Sequence, residues 1–269
     1  MTEVAGTVGA GLEPGSEERS PVRHVEPVMG TMVSFELRPG PLDPTRVTAA
    51  LEASSRALHQ VDEEFSTYRP ESPMSHLRGG ELALADAPDS IREVLRRCAW
   101  LKELSEGWFD PWAMPGGVDP TGFVKGWAVE EAGKVLTDAG IGDWMINAGG
   151  DIATCGRPGP GRRWLVGIVD PEDNRRMIAT AALGGTLATS GRSERGDHIL
   201  DPTTGRPSRR LLSASVAGPD LGVADALATA LSAAGEEGLD WLVAVDDYSA
   251  LIVRNDRSTL RTPGFPPRA

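Results

Sequence analysis

The secondary-structure signals of this chain are unevenly divided, and that division limits the fold more than any other feature of the sequence. Helical spacing dominates up to about residue 140, whereas from Trp144 onward the patterns are those of strands with a single late helix. Val47, Leu51, Ser54, Ser55, Leu58, Val61 and Phe65 recur at helical spacing between Asp43 and Phe65, with Pro44 at a first-turn position behind a capping Asp43. Further helices are predicted over Asp89–Glu106 and Val124–Asp138. Ahead of them, VMGTMVSFEL alternates as a strand entered through a glycine turn. WMINAGGDIATCG then reads as a hairpin around Gly149-Gly150. WLVGIVDP, MIATAALGGTLATSG and LLSASVAG read as further strands. ADALATALSAAG reads as a helix ending at Gly235, and WLVAVDD and SALIVRN as closing strands. Nothing alternates as regular βαβ units, so the expected class is α+β, with mixed or antiparallel sheets and packed helices. Residues 1–24, rich in Gly, Glu, Ser and Pro, read as a disordered tail, and 25–269 as one domain.

The 32 glycines and 21 prolines imply many tight turns. A formal charge of −12 argues against nucleic-acid binding, where affinity comes largely from neutralising phosphates. Cys98 and Cys155 make no disulfide framework and match no metal-ligand spacing. With no apolar run long enough to cross a bilayer and no secretory pattern at the start, a cytoplasmic protein without membrane insertion is expected.

Walker loops, GxGxxG, HExxH and GxSxG are absent. Gly-flanked polar residues stand out instead. On a helix, Asp225 and Thr229 lie one turn apart on one face, a carboxylate and a hydroxyl suited to a hard cation such as Mg²⁺. The alternative is that Asp225 caps the helix and Thr229 packs. In DPTGFVKG (119–126), a helix start and Lys125 can hold an anion, or the helix is simply capped and the lysine solvated. His198, in GDHILDPTTGRP, is either a structural hydrogen bonder or a proton carrier with a suitable pKa. There Asp201 reads as a turn former. Tyr68, in FSTY, either stacks on a flat ligand or packs in the core. Met29-Gly30-Thr31 and Asn147–Asp151 are accounted for by turn geometry, and Cys98 by core packing.

The order of these elements carries more than any one of them. The succession VMGT, FSTY, WFDP, DPTGFVKGWA, NAGGD, TSG, HILDPTTGRP and ADALAT, from about Val28 to Gly235, resembles the ApbE family of flavin transferases. The resemblance implies an ApbE-like fold with its active site in a cleft between two halves. The implied activity uses Mg²⁺ to bind FAD, cleaves the pyrophosphate, and joins FMN to a Thr or Ser hydroxyl of an acceptor flavoprotein, releasing AMP. It implies side-chain metal ligands at Asp225 and Thr229, with Gly122 contributing its backbone carbonyl. It implies FAD contacts at Met29, Tyr68, Trp108, Phe109, Asp110, Asp119 and Lys125, and proton transfer assisted by His198. Between Asp110-Pro111 and Asp119 only WAMPGGV intervenes where the family commonly has a longer segment, so the adenine-side wall is expected to differ.

That chemistry is physically coherent. A metal offsets the charge of a pyrophosphate and orients it for in-line attack. One carboxylate among neutral oxygens leaves most of the metal's charge to the phosphates. Lys125 adds a point charge. The same residues would serve a Mg²⁺-dependent FAD pyrophosphatase or a non-catalytic FAD-binding protein, and these remain the alternatives.

Overall fold

The structure, a computed structural model, describes residues 20–192 and 199–267. Its frame is a wholly antiparallel eight-stranded sheet in the order β1-β2-β3-β4-β7-β10-β11-β12. The strands are β1 (Val22–Val28), β2 (Thr31–Leu37), β3 (Trp144–Ala148), β4 (Asp151–Cys155), β7 (Thr186–Gly191), β10 (Ser213–Gly218), β11 (Ser249–Val253) and β12 (Thr259–Arg261). A long hairpin, β5 (Trp164–Asp170) and β6 (Asp173–Leu183), interrupts the sheet between β4 and β7. A small one, β8 (Leu200–Asp201) and β9 (Arg206–Pro207), interrupts it between β7 and β10.

Six helices complete the described residues: α1 (Pro44–Phe65), α2 (Pro73–Arg78), α3 (Asp89–Leu104), α4 (Thr121–Asp138), α5 (Leu221–Ala234) and α6 (Gly238–Leu242). Alternation along the strands sends one set of side chains to each face of the sheet. Phe35, Ile146, Ala188, Ala214, Val216 and Ile252 meet the helices, and Ile152, Leu187, Ala217, Leu251 and Val253 meet Val166, Ile168, Ala181 and Leu183 of the long hairpin. The sheet is therefore covered on both sides, by helices on one and a hairpin on the other.

Close approaches lock the helix side. Trp144 sits against Gly133, where an added Cβ would lie 2.3 Å from its ring, and its Nε1 donates to Thr137 Oγ1 at 3.1 Å. Ser54 of α1 donates to the Ala132 carbonyl of α4 at 2.8 Å. Gly126 of α4 rests on the backbone of α5, where a Cβ would come within 2.5 Å of the Leu221 carbonyl oxygen.

The α+β class is as expected, and several boundaries move. Residues 22–24, expected in the tail, are paired in β1, so the first strand is a hairpin rather than a single strand. WLVAVDD is not a strand: α6 ends at Leu242 within it and turns follow to Asp247. A short apolar run is ambiguous between strand and buried helix, and here Trp241 and Leu242 are buried from a helix. The late helix starts at Leu221, capped by Asp220, whose side chain accepts from Val223 N at 2.8 Å, so Asp225 is not a cap. Both α2 and β12 lie in stretches with no predicted element.

Candidate active site

A cavity of about 690 Å³ opens where the first turns of α4 and the middle of α5 meet the β1–β2 turn and the loops around residues 66–69 and 108–119. Segments from both halves of the chain line it. Each expected site residue among the described residues is there: Met29, Tyr68, Trp108, Phe109, Asp110, Asp119, Gly122, Lys125, Asp225 and Thr229. His198 lies outside the described residues.

Each side chain arrives by a local device. Met29 and Gly30 turn the first hairpin with φ of 53° and 69°, the doubly positive geometry of a tight two-residue hairpin. Methionine at positive φ is unusual, and such strain tends to collect at functional sites. Ser66 caps the end of α1 and accepts from the backbone N–H groups of Tyr68 and Arg69 at 3.3 and 3.2 Å. That turn leaves Tyr68 88% exposed at the rim, so the aromatic is a cavity wall and not core. Trp108 is backed on one side by the Arg210 guanidinium, 5.0 Å from its ring centroid.

The carboxylates around the loops are already partnered. Asp110 accepts from Trp112 N at 3.0 Å and pairs with Lys102 at 2.7 Å. Asp119 accepts from Thr121 N at 3.0 Å and pairs with Arg78 at 3.0 Å. The Arg78 guanidinium also donates to the carbonyls of Val118 and Pro115. One arginine thus pins the short 112–118 segment, and its Met114 and Pro115 still reach the cavity.

At the floor, α4 and α5 run antiparallel in contact. Asp225 is 2% exposed and accepts from Gly126 N at 3.3 Å. One turn on, Thr229 Oγ1 lies 3.1 Å from Ser190 Oγ of β7. Gly122 fits closely against it: an added Cβ would stand 3.4 Å from Thr229 Oγ1 and 3.3 Å from the Phe109 ring. The set is one carboxylate and two hydroxyls, hard oxygen donors that suit a hard divalent cation and no soft metal. Among the described residues no cluster of three or more His, Cys, Asp or Glu side chains exists, so a site here would be of this low-charge kind.

Lys125 is not a solvated lysine. Its side chain is 18% exposed and its Nζ lies 2.7 Å from Asp151 Oδ2, whose residue is fully buried. Spacing in the sequence gave no sign of this pair. Asp151 belongs to a Gly-Gly turn whose geometry already accounts for it: Asn147 Oδ1 accepts from Gly150 N at 2.9 Å. Asp201 is the expected turn former, accepting from Thr203 N and Oγ1 at 2.8 and 2.6 Å. Among the described residues no helix is long and apolar enough to cross a membrane.

Known proteins resemble this chain in sequence and in fold. The chain is similar to the FAD:protein FMN transferase of Rhodobacter capsulatus, 37% identical over 54% of this chain and 30% of that protein, so the match spans under a third of that relative. It is also similar to the FAD:protein FMN transferase of Vibrio cholerae, at 27% identity over 85% of each. Among solved structures, the ApbE protein of Thermotoga maritima superposes with a TM-score of 0.81 at 21% identity, over 91% of this chain and 97% of that one. The flavin transferase ApbE from Vibrio cholerae does so at 0.77 and 24%, over 90% and 96%. At those identities the superpositions speak for the fold. The ApbE family model matches residues 29–116 and 115–252, which take in six of the eight strands of the sheet and every described site residue, and the chain belongs to the ApbE family.

Proposed function

We propose that the protein is a Mg²⁺-dependent FAD:protein FMN transferase, which cleaves FAD and joins FMN by a phosphoester bond to a Thr or Ser hydroxyl of an acceptor flavoprotein, with AMP as leaving group. The observation that carries this reading is the meeting of Asp225, Thr229 and Gly122 with Lys125 at the floor of a cavity walled by Tyr68 and Trp108. A flat aromatic ligand with an anionic middle matches those walls and that floor.

Asp225, Thr229 and the Gly122 carbonyl would hold the cation, which when bound supplies charge neutralisation at the pyrophosphate. Lys125 brings a positive charge to the same phosphoryl groups. Tyr68, Trp108 and Met29 hold the flavin and exclude water from one side. The acceptor oxygen forms its bond to the FMN phosphorus as the bond to the AMP oxygen breaks. His198, assigned by the HILDPTTGRP motif, takes the hydroxyl proton.

The test is incubation with FAD and Mg²⁺, with and without a co-expressed flavoprotein carrying a candidate Thr or Ser, read as fluorescent flavin on a denaturing gel and as released AMP. Covalent flavin that requires acceptor, Mg²⁺ and Asp225 supports the transferase. AMP released at the same rate without acceptor would make the protein a pyrophosphatase, and bound FAD with no AMP at all would make it a carrier.

A further inference from the structure

The ion pair at the cavity floor joins two distant parts of the chain. Asp151 follows Gly149 and Gly150, whose φ of 61° and 106° only glycine adopts readily, and it opens β4. Pairing of β4 with β7 ends at Ile152 opposite Leu187. Beyond that point the Asp151 carboxylate continues the join with a side chain, Oδ1 accepting from Thr189 N at 3.0 Å. Oδ2 lies 2.7 Å from Lys125 Nζ, and no hydrogen-bond donor among the described residues reaches it otherwise. A fully buried carboxylate with one oxygen fixed by a strand and the other against an ammonium is a rigid anchor, because a buried charge without its partner is strongly disfavoured.

The strand it grips is informative. Ser190, the next residue of β7, touches Thr229 Oγ1 through its hydroxyl, and its carbonyl accepts from Ser232 Oγ of α5 at 3.1 Å. The Lys125 ammonium and the Asp225–Thr229 oxygens are thereby indexed to the same two residues of one strand. Lysine is a flexible chain with a point charge at its end, and this anchor holds that charge in register with the oxygens opposite.

We infer that Asp151 is a positioning residue for the transfer reaction: through Thr189 and β7 it fixes the Lys125 ammonium at the phosphoryl group being transferred. The inference rests on the transferase reading above. Neutralising Asp151 removes the ionic anchor of the lysine and a negative charge near an anionic substrate. The substrate still binds, and the chemical step suffers.

The experiment compares wild type, Asp151→Asn, Lys125→Met and the double variant, measuring kcat and KM for FAD with a common acceptor, on folded protein isolated by gel filtration. Asp151→Asn is expected to lower kcat tenfold or more with KM for FAD within threefold of wild type, and to cause no further loss when added to Lys125→Met. A kcat within threefold of wild type overturns the proposal. So do losses that multiply in the double variant, since a purely structural aspartate would act independently of the lysine. If Asp151→Asn does not fold, Asp151→Ala with added formate replaces it. Recovery of kcat with formate supports the anchor and absence of recovery overturns it. Failure of the underlying transferase reading shows separately, as wild-type protein that transfers no FMN.

Discussion

The α4–α5 seam holds carboxylates at both of its ends, buried at one and half-buried at the other, and the two ends differ in what the charges face. At the cavity end, Asp225, Lys125, Thr229 and Ser190 stand beside open space, with Asp151 fully buried behind the lysine. At the far end, Asp220 caps α5 and pairs with Arg97, and Glu130 accepts from Leu221 N at 2.6 Å. There burial, with Asp220 adding its charge, pushes Glu130 up to about 7, and burial also raises the Tyr248 hydroxyl. Glu130 is thus strongly perturbed yet lines no part of the cavity. A perturbed carboxylate is therefore not by itself a chemical site, and here the open space tells the two ends apart.

Both ends depend on the same close approach, so the largest expected effect strikes them together. In Gly126→Ala the new Cβ would meet the carbonyl oxygen and carbon of Leu221 and Gly222 Cα at 2.5 to 2.9 Å, all backbone atoms that cannot swing aside. Forcing the helices apart should cost about 3 kcal/mol or more and lower FAD binding as well. A Tm within 2 °C of wild type, by the slope of about 2–4 °C per kcal/mol, would show that the seam tolerates separation.

Asp225→Asn separates function from stability. The variant keeps an oxygen for Gly126 N and removes a buried charge, so Tm is expected to hold or rise while transfer falls by about a hundredfold or more. Thr229→Ala is the milder companion. It removes one neutral oxygen, and the expected loss of Mg²⁺-dependent activity is about tenfold, with a higher Mg²⁺ requirement. A large fall in Tm without metal would instead mark Thr229 as a packing residue joined to Ser190.

Much of this contrast could be read from the sequence, and the parts that could not share a cause. Periodicity placed α1 and its Asp43 cap, and the Gly149-Gly150 turn, because those signals are local. ADALAT yielded the Asp225–Thr229 face for the same reason, although its cap was misread: Gly222 and Val223 are weak helix formers, and the capping side chain is Asp220 before them. The partnership of Lys125 with Asp151 was invisible, since it forms only when α4 packs against β4. Tyr68 was open between stacking and core because its exposure depends on how the 66–69 turn meets the cavity. Residue types were legible wherever one turn of chain determines their role, and illegible wherever two elements must meet.

The smallest expected effect sharpens the far end. Glu130 in the unfolded chain ionises near 4.5, and in the folded protein near 7, so between those values the folded state keeps a proton that the unfolded state has released. Stability from this group is therefore full below about pH 4.5 and is lost as pH rises through 7. Glu130→Gln keeps an oxygen for Leu221 N and cannot ionise beside Asp220, so its stability escapes this decline. Measured by calorimetry from pH 5 to 8.5, the variant should gain on wild type by about 3–6 °C as pH rises. Transfer at fixed pH should stay within about twofold of wild type, since Glu130 does not face the cavity. A gap that stays constant with pH would mean that Glu130 ionises normally in the seam. The far end would then be an ordinary ion-paired cap, and the two ends would differ by less than their geometry implies.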